Sequence, residues 1–357
     1  MRTLILSATL CLGLISVAVP PTLNYVPDGP LVVYLSPAGT DSDDGLTPNT
    51  SVLTLARAEE VIDTLDPDTD VEVRIKQGVY TAPQTTWTRS ISGHFISFMP
   101  VDYQYGMNST QFAGRPIFRS PGDADWWMYV APSPLPADGR LGLRFYYLQV
   151  EHYNNGLMLR GQYETDAQGI RQPTDPVNGN TVYGMNFLKL GTKWSGMTGY
   201  GVAGLDLVNS SDNLIRANHF RQLENLDPDD WSHIHAVYMA HGSSDNQVIN
   251  NEFKTISADA VRIRNQSYGN EVTGNTFDHT GVHGHLVDWF CDGTCVSGTS
   301  VQECASHATF FHDNTLGVGY TGAAIPAVYL TPAGNSYSGP AGCPQFLEGE
   351  RVYGNSM

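Results

Sequence analysis

The sequence predicts an all-β chain folded as a single-domain right-handed parallel β-helix, a solenoid with an N-terminal capping helix, and three observations predict it. The first is a repeat. NTVYGMNF ends at Phe187, NLIRANHF at Phe220, NQVINNEF at Phe253 and NEVTGNTF at Phe277, each with Asn seven positions before Phe. The first two Phe-to-Phe intervals are equal and the third is shorter; each suits a single coil, the longer two carrying loop insertions. The second is composition: 36 Gly, 21 Pro, 41% hydrophobic and 15% charged residues describe a turn-rich folded chain with apolar material to bury. The third is an amphipathic segment upstream of the repeats, placed where a solenoid needs its open end covered.

Taken in order, residues 1–19 read Met-Arg-Thr followed by the apolar run LILSATLCLGLISVAV, with small residues at Ser16 and Ala18, and predict a secretory leader. The run is short and ends at Pro20-Pro21, so no membrane span is expected in the mature chain, which is expected to be extracellular. Residues 20–75 form the N-terminal segment and cap. Here Leu53, Leu55, Ala56, Ala58, Val61, Ile62 and Leu65 share a helical face, with Ser51 or Thr50 as N-cap. Residues 76–357 form the coils, and VEVRIKQGVY and HFISFMP read as early coil strands with Gly78 at a turn. The repeated Asn residues suit coil corners, because Asn tolerates left-handed backbone and its amide can bond the identical residue one coil away. Weaker echoes follow in HDNTL and RVYGNSM.

Five cysteines are present, and Cys11 lies in the leader. Cys291, Cys295, Cys304 and Cys343 predict two disulfides in C-terminal loops, of open connectivity, since their spacing lacks the paired short knuckles of a zinc site. A formal charge of -17 makes a nucleic-acid partner unfavourable.

SPAGTDSDDGLTPNTSVLTLARA followed by RIKQGVY resembles the N-terminal opening of the right-handed β-helix, pectate-lyase-like superfamily. HAVYMAHGSSDNQVINNEF and DAVRIRNQSYGNEVTGNTF resemble its coil repeats, and the likeness spans residues 31–357. It implies the fold. It does not select an activity, because the superfamily holds polysaccharide lyases, glycoside hydrolases, epimerases, phage tailspikes and adhesins, and no family-specific catalytic signature is matched.

Alignment on the Asn and Phe anchors brings Leu205-Asp206-Leu207-Val208, Val237-Tyr238-Met239-Ala240 and Val261-Arg262-Ile263-Arg264 into successive layers. With the aliphatic residues inward, Asp206, Tyr238 and Arg262 stack outward about 4.8 Å apart, and Arg264 lies two positions along. His235, Asp259 and His283 are evenly spaced along the chain and are expected in a neighbouring column, with His241, His285 and Asp288 close by, the extra residue implied by HGHLVDW leaving the facing of the last two open. These titratable groups form the candidate catalytic set: Tyr238, Arg262, Arg264, His235, Asp259, His283, His285 and Asp206. His241, Asp288, Trp231 and Trp289 are candidate substrate contacts, the tryptophans as sugar platforms. The pairs His233/His235 and His283/His285 lack a defined third metal ligand, so the metal assignment stays open. Calcium is conceivable at the acidic loops GTDSDDG and LDPDDW, although neither has EF-hand spacing and both also read as solvated turns.

Three functions follow as expectations for a secreted monomer acting on a polysaccharide. The first is β-elimination on a uronic-acid glycan, with Arg262 or Arg264 on the carboxylate and Tyr238 or a His moving protons. The second is hydrolysis by two of Asp206, Asp259 and Asp288. The third is a noncatalytic carbohydrate-binding or surface protein whose columns decorate the solenoid.

Overall fold

A computed structural model describes residues 29–108, 114–136, 138–291, 302–331, 343 and 348–357. The expected leader and Cys295 lie outside the described residues. Three parallel sheets of ten, eight and eight strands run along the molecule; each of eight full coils gives one strand to each sheet, and Leu31–Leu35 and Arg351–Tyr353 extend the first sheet at its two ends, so the fold is a right-handed parallel β-helix. The one antiparallel pair among the described residues is a hairpin, Tyr163–Thr165 with Arg171–Pro173, inserted after strand Asn155–Arg160.

The coils are held in phase by the predicted repeat. Phe187, Phe220, Phe253 and Phe277 pair in register and stack inside, with centroids 4.7, 5.4 and 4.9 Å apart. Asn180, Asn213, Asn246 and Asn270 form a buried ladder in which each side-chain amide donates to the next side-chain oxygen at 2.7–3.0 Å. A second ladder, Asn218, Asn251, Asn275, Asn314 and Asn355, follows the same rule and takes in the HDNTL and RVYGNSM echoes. The left-handed residue is the one before each ladder position, among them Asp212, Asp245, Asn250 and Asp313, rather than the ladder Asn itself. The ladder works through amide bonding. Replacing Asn246 with Ala therefore strands buried partners on both neighbouring coils and is expected to cost about 1–3 kcal/mol per stranded group, read from the urea unfolding midpoint.

The helix is Leu55–Leu65, and its buried Leu55, Ala58, Val61 and Ile62 join the core beside the first coil. Its N-cap is Thr54, whose hydroxyl accepts from Arg57 N at 3.1 Å, in place of the expected Ser51 or Thr50. Leu53 and Leu65 are exposed because the helix begins later than its apolar pattern and ends at Leu65. Asp41 accepts from the Leu53 and Thr54 amides, and Asp44 from Leu46 N and Thr50 Oγ1, so the GTDSDDG acids brace the cap. A disulfide joins Cys304 and Cys343, and Cys291 is disulfide-bonded as well. No helix among the described residues is long and apolar enough to cross a membrane.

Candidate active site

The eight-stranded sheet holding Ala203–Val208, His235–Ala240, Val261–Arg264 and Leu286–Trp289 carries the site. Strand pairing puts Asp206 opposite Tyr238 and Tyr238 opposite Arg262, so the three form one outward column on adjacent coils. Val208, Ala240, Arg264 and Trp289 make the parallel column two residues along. Their outward aim follows from Leu205, Val237 and Val261 filling the interior.

A cleft of about 650 Å³ opens over these columns. Tyr238, Arg262, Arg264, His235, His283 and Trp289 line it, together with Tyr200, Val202, Ser232, His233, Val287 and Tyr329. The lining holds two arginines, three histidines and three tyrosines, and no carboxylate among the described residues.

Asp259 lies just behind the cleft wall and is fully buried. Its Oδ2 accepts from Arg262 Nε at 2.6 Å and its Oδ1 from Arg262 Nη2 at 3.2 Å. Burial opposes its ionisation, but Arg262 and His235 outweigh that cost and hold the carboxyl below its usual range. Nη1 is the guanidinium nitrogen of Arg262 that Asp259 leaves over. His235 Nδ1 is 3.1 Å from the Asp259 carbonyl oxygen and 3.2 Å from Oδ2. A carbonyl only accepts, so Nδ1 carries the proton and Nε2 holds the lone pair. Burial, then the charge of Arg262, lowers the His235 pKa and keeps the ring neutral.

The Tyr238 hydroxyl accepts from Arg264 Nη1 at 2.9 Å. Burial raises its pKa against the pull of both arginines, so the phenol keeps its proton near neutrality. Arg264 is fixed from three sides. Its Nε donates to Glu303 Oε2 at 2.7 Å, Nη1 donates to Tyr238, and the guanidinium lies 4.4 Å from the Trp289 ring centroid. Glu303, which sequence reasoning missed, is fully buried and also accepts from Arg171 Nη1 and the Cys291 amide, tying the hairpin to the strand bearing Arg264.

Asp206 is 3% exposed, and its side chain makes no hydrogen bond or ion pair among the described residues. Burial pushes its pKa up to about 7, opposed by Arg160 and Arg264. Its folded pKa exceeds its unfolded one, so the folded state binds the extra proton and stability falls as pH rises from about 4 to 7, by up to about 4 kcal/mol. Asp206→Asn is therefore expected to raise the unfolding free energy at about pH 8 and leave it little changed at about pH 4.

Several expected site residues lie elsewhere. Val237 and Val261 stand as far apart in the chain as Asp259 and His283, whereas Val261 pairs with Leu286, one position beyond that interval, and the extra residue reverses the alternation. Asp288 consequently faces inward opposite Ile263, where burial and the neighbouring Glu350 hold its pKa well above normal. His285 is buried, with Nδ1 2.8 Å from Thr280 Oγ1 and its ring against Phe277. His283 falls out of column with His235 and Asp259 for the same reason, yet reaches the cleft from the loop, stacked on Tyr329 at 5.5 Å. His241 is buried beneath the hairpin, 4.3 Å from the Tyr163 ring and bonded to Asn265 Nδ2, so it anchors the hairpin and does not face a ligand. Trp231 packs edge-on against Tyr320 outside the cleft, while its neighbours Ser232 and His233 line the cleft.

Among the described residues no group of three or more His, Cys, Asp or Glu is arranged to hold a metal ion. In LDPDDW, Asp227 caps the short helix Pro228–His233 by accepting from Asp229 N, so its side chain serves the turn.

No protein-family model matches the chain, and no curated protein matches it in sequence. Among solved structures it is similar to an alginate lyase from Paenibacillus sp. str. FPU-7, with a TM-score of 0.50 and 13% identity, covering 91% of this chain and 99% of that one. It also aligns with pectate lyase Pel9A, at a TM-score of 0.44 and 14% identity over 80% of this chain and 62% of that one. The fold that this chain and the alginate lyase share is the right-handed parallel β-helix.

Proposed function

We propose that the protein is a secreted polysaccharide lyase that cleaves a uronic-acid-containing glycan by β-elimination. The observation that carries this reading is the cleft lining: two arginines, a phenol bonded to one of them, a neutral imidazole and, among the described residues, no carboxylate. In a chain of net charge -17, a cleft that presents two guanidinium groups at its surface, with their partner carboxylates Asp259 and Glu303 buried behind them, favours an anionic ligand.

Arg262 Nη1 receives the uronate carboxylate and stabilises the negative charge that develops on it. His235 Nε2 takes the proton from the carbon next to that carboxylate, while Asp259 orients the ring and offsets its new charge. The electron pair left behind forms a carbon–carbon double bond as the bond to the glycosidic oxygen breaks. Tyr238 gives its proton to that oxygen, and Arg264 steadies the phenolate. Water is not consumed.

Hydrolysis is the weaker reading. It needs two carboxyl groups flanking the bond, whereas Asp259 is locked by Arg262 and Asp288 faces the core. A noncatalytic role leaves the Asp259–His235 pair and the bonded Tyr238–Arg264 pair without a purpose in one cleft. The alginate lyase named above acts, by its name, on an acidic polysaccharide, which agrees with this reading, and the disulfide between Cys304 and Cys343 agrees with export.

The test is a panel of uronic-acid polymers followed by the ultraviolet absorbance of an unsaturated product, beside reducing-end release from neutral glycans. Absorbance supports elimination. Reducing ends from neutral glycans alone support hydrolysis, and binding without either supports the noncatalytic role.

A further inference from the structure

Three coils before Arg262, on the same outward face, stands a second place shaped for an acidic sugar. Arg160 ends strand Asn155–Arg160 and pairs in register with Val208, in the column that continues through Ala240 to Arg264. Its guanidinium makes no hydrogen bond or ion pair among the described residues. It lies 6.0 Å from the ring centroid of Tyr129 and 5.9 Å from that of Tyr163, both partly exposed. Asp206 is beside it, one coil on, and opposite Met158. Asp206 is buried, and its Oδ1 has no partner among the described residues. The two feel each other's charge, yet no nitrogen and oxygen of the pair come within 4 Å.

An unpaired buried carboxyl is costly, and an arginine a short distance away would remove that cost by closing on it. Arg160 is instead held toward the two tyrosines. Beneath this gap Trp126, Met158 and Val208 form a buried apolar floor edged by Tyr129 and Tyr163. A cation and an acid separated by a gap, over an aromatic-edged apolar floor, match a sugar ring with a carboxylate at one pole and hydroxyls at the other.

We infer that Arg160 and Asp206 form a distal subsite for a second acidic residue of the glycan, Arg160 taking its carboxylate and Asp206 a hydroxyl. This inference rests on the uronate reading of the cleft and adds to it a length requirement. Three coil spacings separate Arg160 from the level of Arg262 and Arg264, roughly 14 Å at about 4.8 Å per coil. A ligand must be an oligomer to touch both. The protein then selects extended polyuronates over dimers.

The experiment is calorimetric titration of the Tyr238→Phe protein, with and without Arg160→Ala, using hexamers and dimers of galacturonate, mannuronate and guluronate. Arg160→Ala is expected to weaken the best-bound hexamer about tenfold, as the loss of one charge-assisted contact should, and to leave its dimer unchanged. Arg160→Lys keeps the charge and is expected to fall between, with the unfolding midpoint of each variant confirming the fold. Equal hexamer affinity with and without Arg160, or no binding of any hexamer, overturns the subsite. Arg160-dependent binding by a wild-type protein that yields no unsaturated product leaves the subsite standing and removes the lyase reading instead.

Discussion

Replacing Tyr238 with Phe is expected to lower kcat on the preferred uronic-acid polymer about 100- to 10,000-fold while leaving KM within a small factor of wild type. The substitution removes one oxygen and keeps the ring. Arg264 retains Glu303 and the Trp289 face, so the surrounding cleft keeps its shape. In the proposed elimination the lost proton donor acts only as the glycosidic bond breaks, which is why the effect is expected on kcat. Initial rates from ultraviolet absorbance, with unfolding midpoints as a control, check it. A variant with more than a tenth of wild-type kcat would remove Tyr238 from the chemistry.

Arg262→Ala is expected to damage both stability and activity, and the two losses can be separated. Asp259 is fully buried and Arg262 supplies its two closest charged contacts, Nε at 2.6 Å and Nη2 at 3.2 Å. Removing one partner of a buried pair costs about 3–5 kcal/mol. The pH dependence changes sign as well. In the wild type the folded pKa of Asp259 is depressed, so its contribution is present above the unfolded value of about 3.9 and is lost as pH falls through the folded value. Without Arg262 burial dominates, the folded pKa rises, and stability falls as pH climbs above about 4. The Asp259→Asn, Arg262→Ala double variant removes the orphaned charge and is expected to regain most of the stability at about pH 8. It is not expected to regain turnover, because the carboxylate contact is still missing. Denaturant unfolding at about pH 5 and about pH 8, beside initial rates, distinguishes these outcomes; recovery of activity in the double variant would mean that Arg262 serves only the fold.

The column of Asp206, Tyr238 and Arg262 is legible in the sequence because the Asn and Phe anchors fix coil phase to within one residue and the aliphatic alternation of each strand fixes the rest; Tyr238 follows Asp206 by one residue fewer than Phe220 follows Phe187, whereas Arg262 follows Tyr238 by the same interval as Phe277 follows Phe253. Past Phe277 one added residue before Leu286 reverses the inward and outward faces; HGHLVDW implies the extra residue but holds no anchor that places it, so the sequence leaves the facing of His285 and Asp288 open. The reversal puts Asp288 inside opposite Ile263, while His285, just ahead of the strand, is buried by its own contacts with Thr280 and Phe277. Glu303 bonds Arg264 from a distant segment with no repeat signature, so nothing in its neighbourhood announces a partner. Tyr200 and His233 reach the cleft from insertions between coils, and their stacking at 4.4 Å is a tertiary contact without a sequence period. Arg160 escapes notice for a related reason. Its strand precedes the anchored repeats, and the hairpin inserted after it breaks the spacing to strand Ala203–Val208. His241 shows the opposite failure, where proximity in register is real but the hairpin covers the side chain.

The proposed elimination requires bond cleavage without water. Digestion of the best uronic-acid polymer in heavy-oxygen water, followed by mass spectrometry of the oligosaccharides, measures that directly. The predicted products carry an unsaturated end and, when analysed before the new reducing ends exchange with solvent, no solvent oxygen at the cleaved linkage. Saturated products bearing one heavy oxygen per new end would contradict elimination and assign the cleft to hydrolysis.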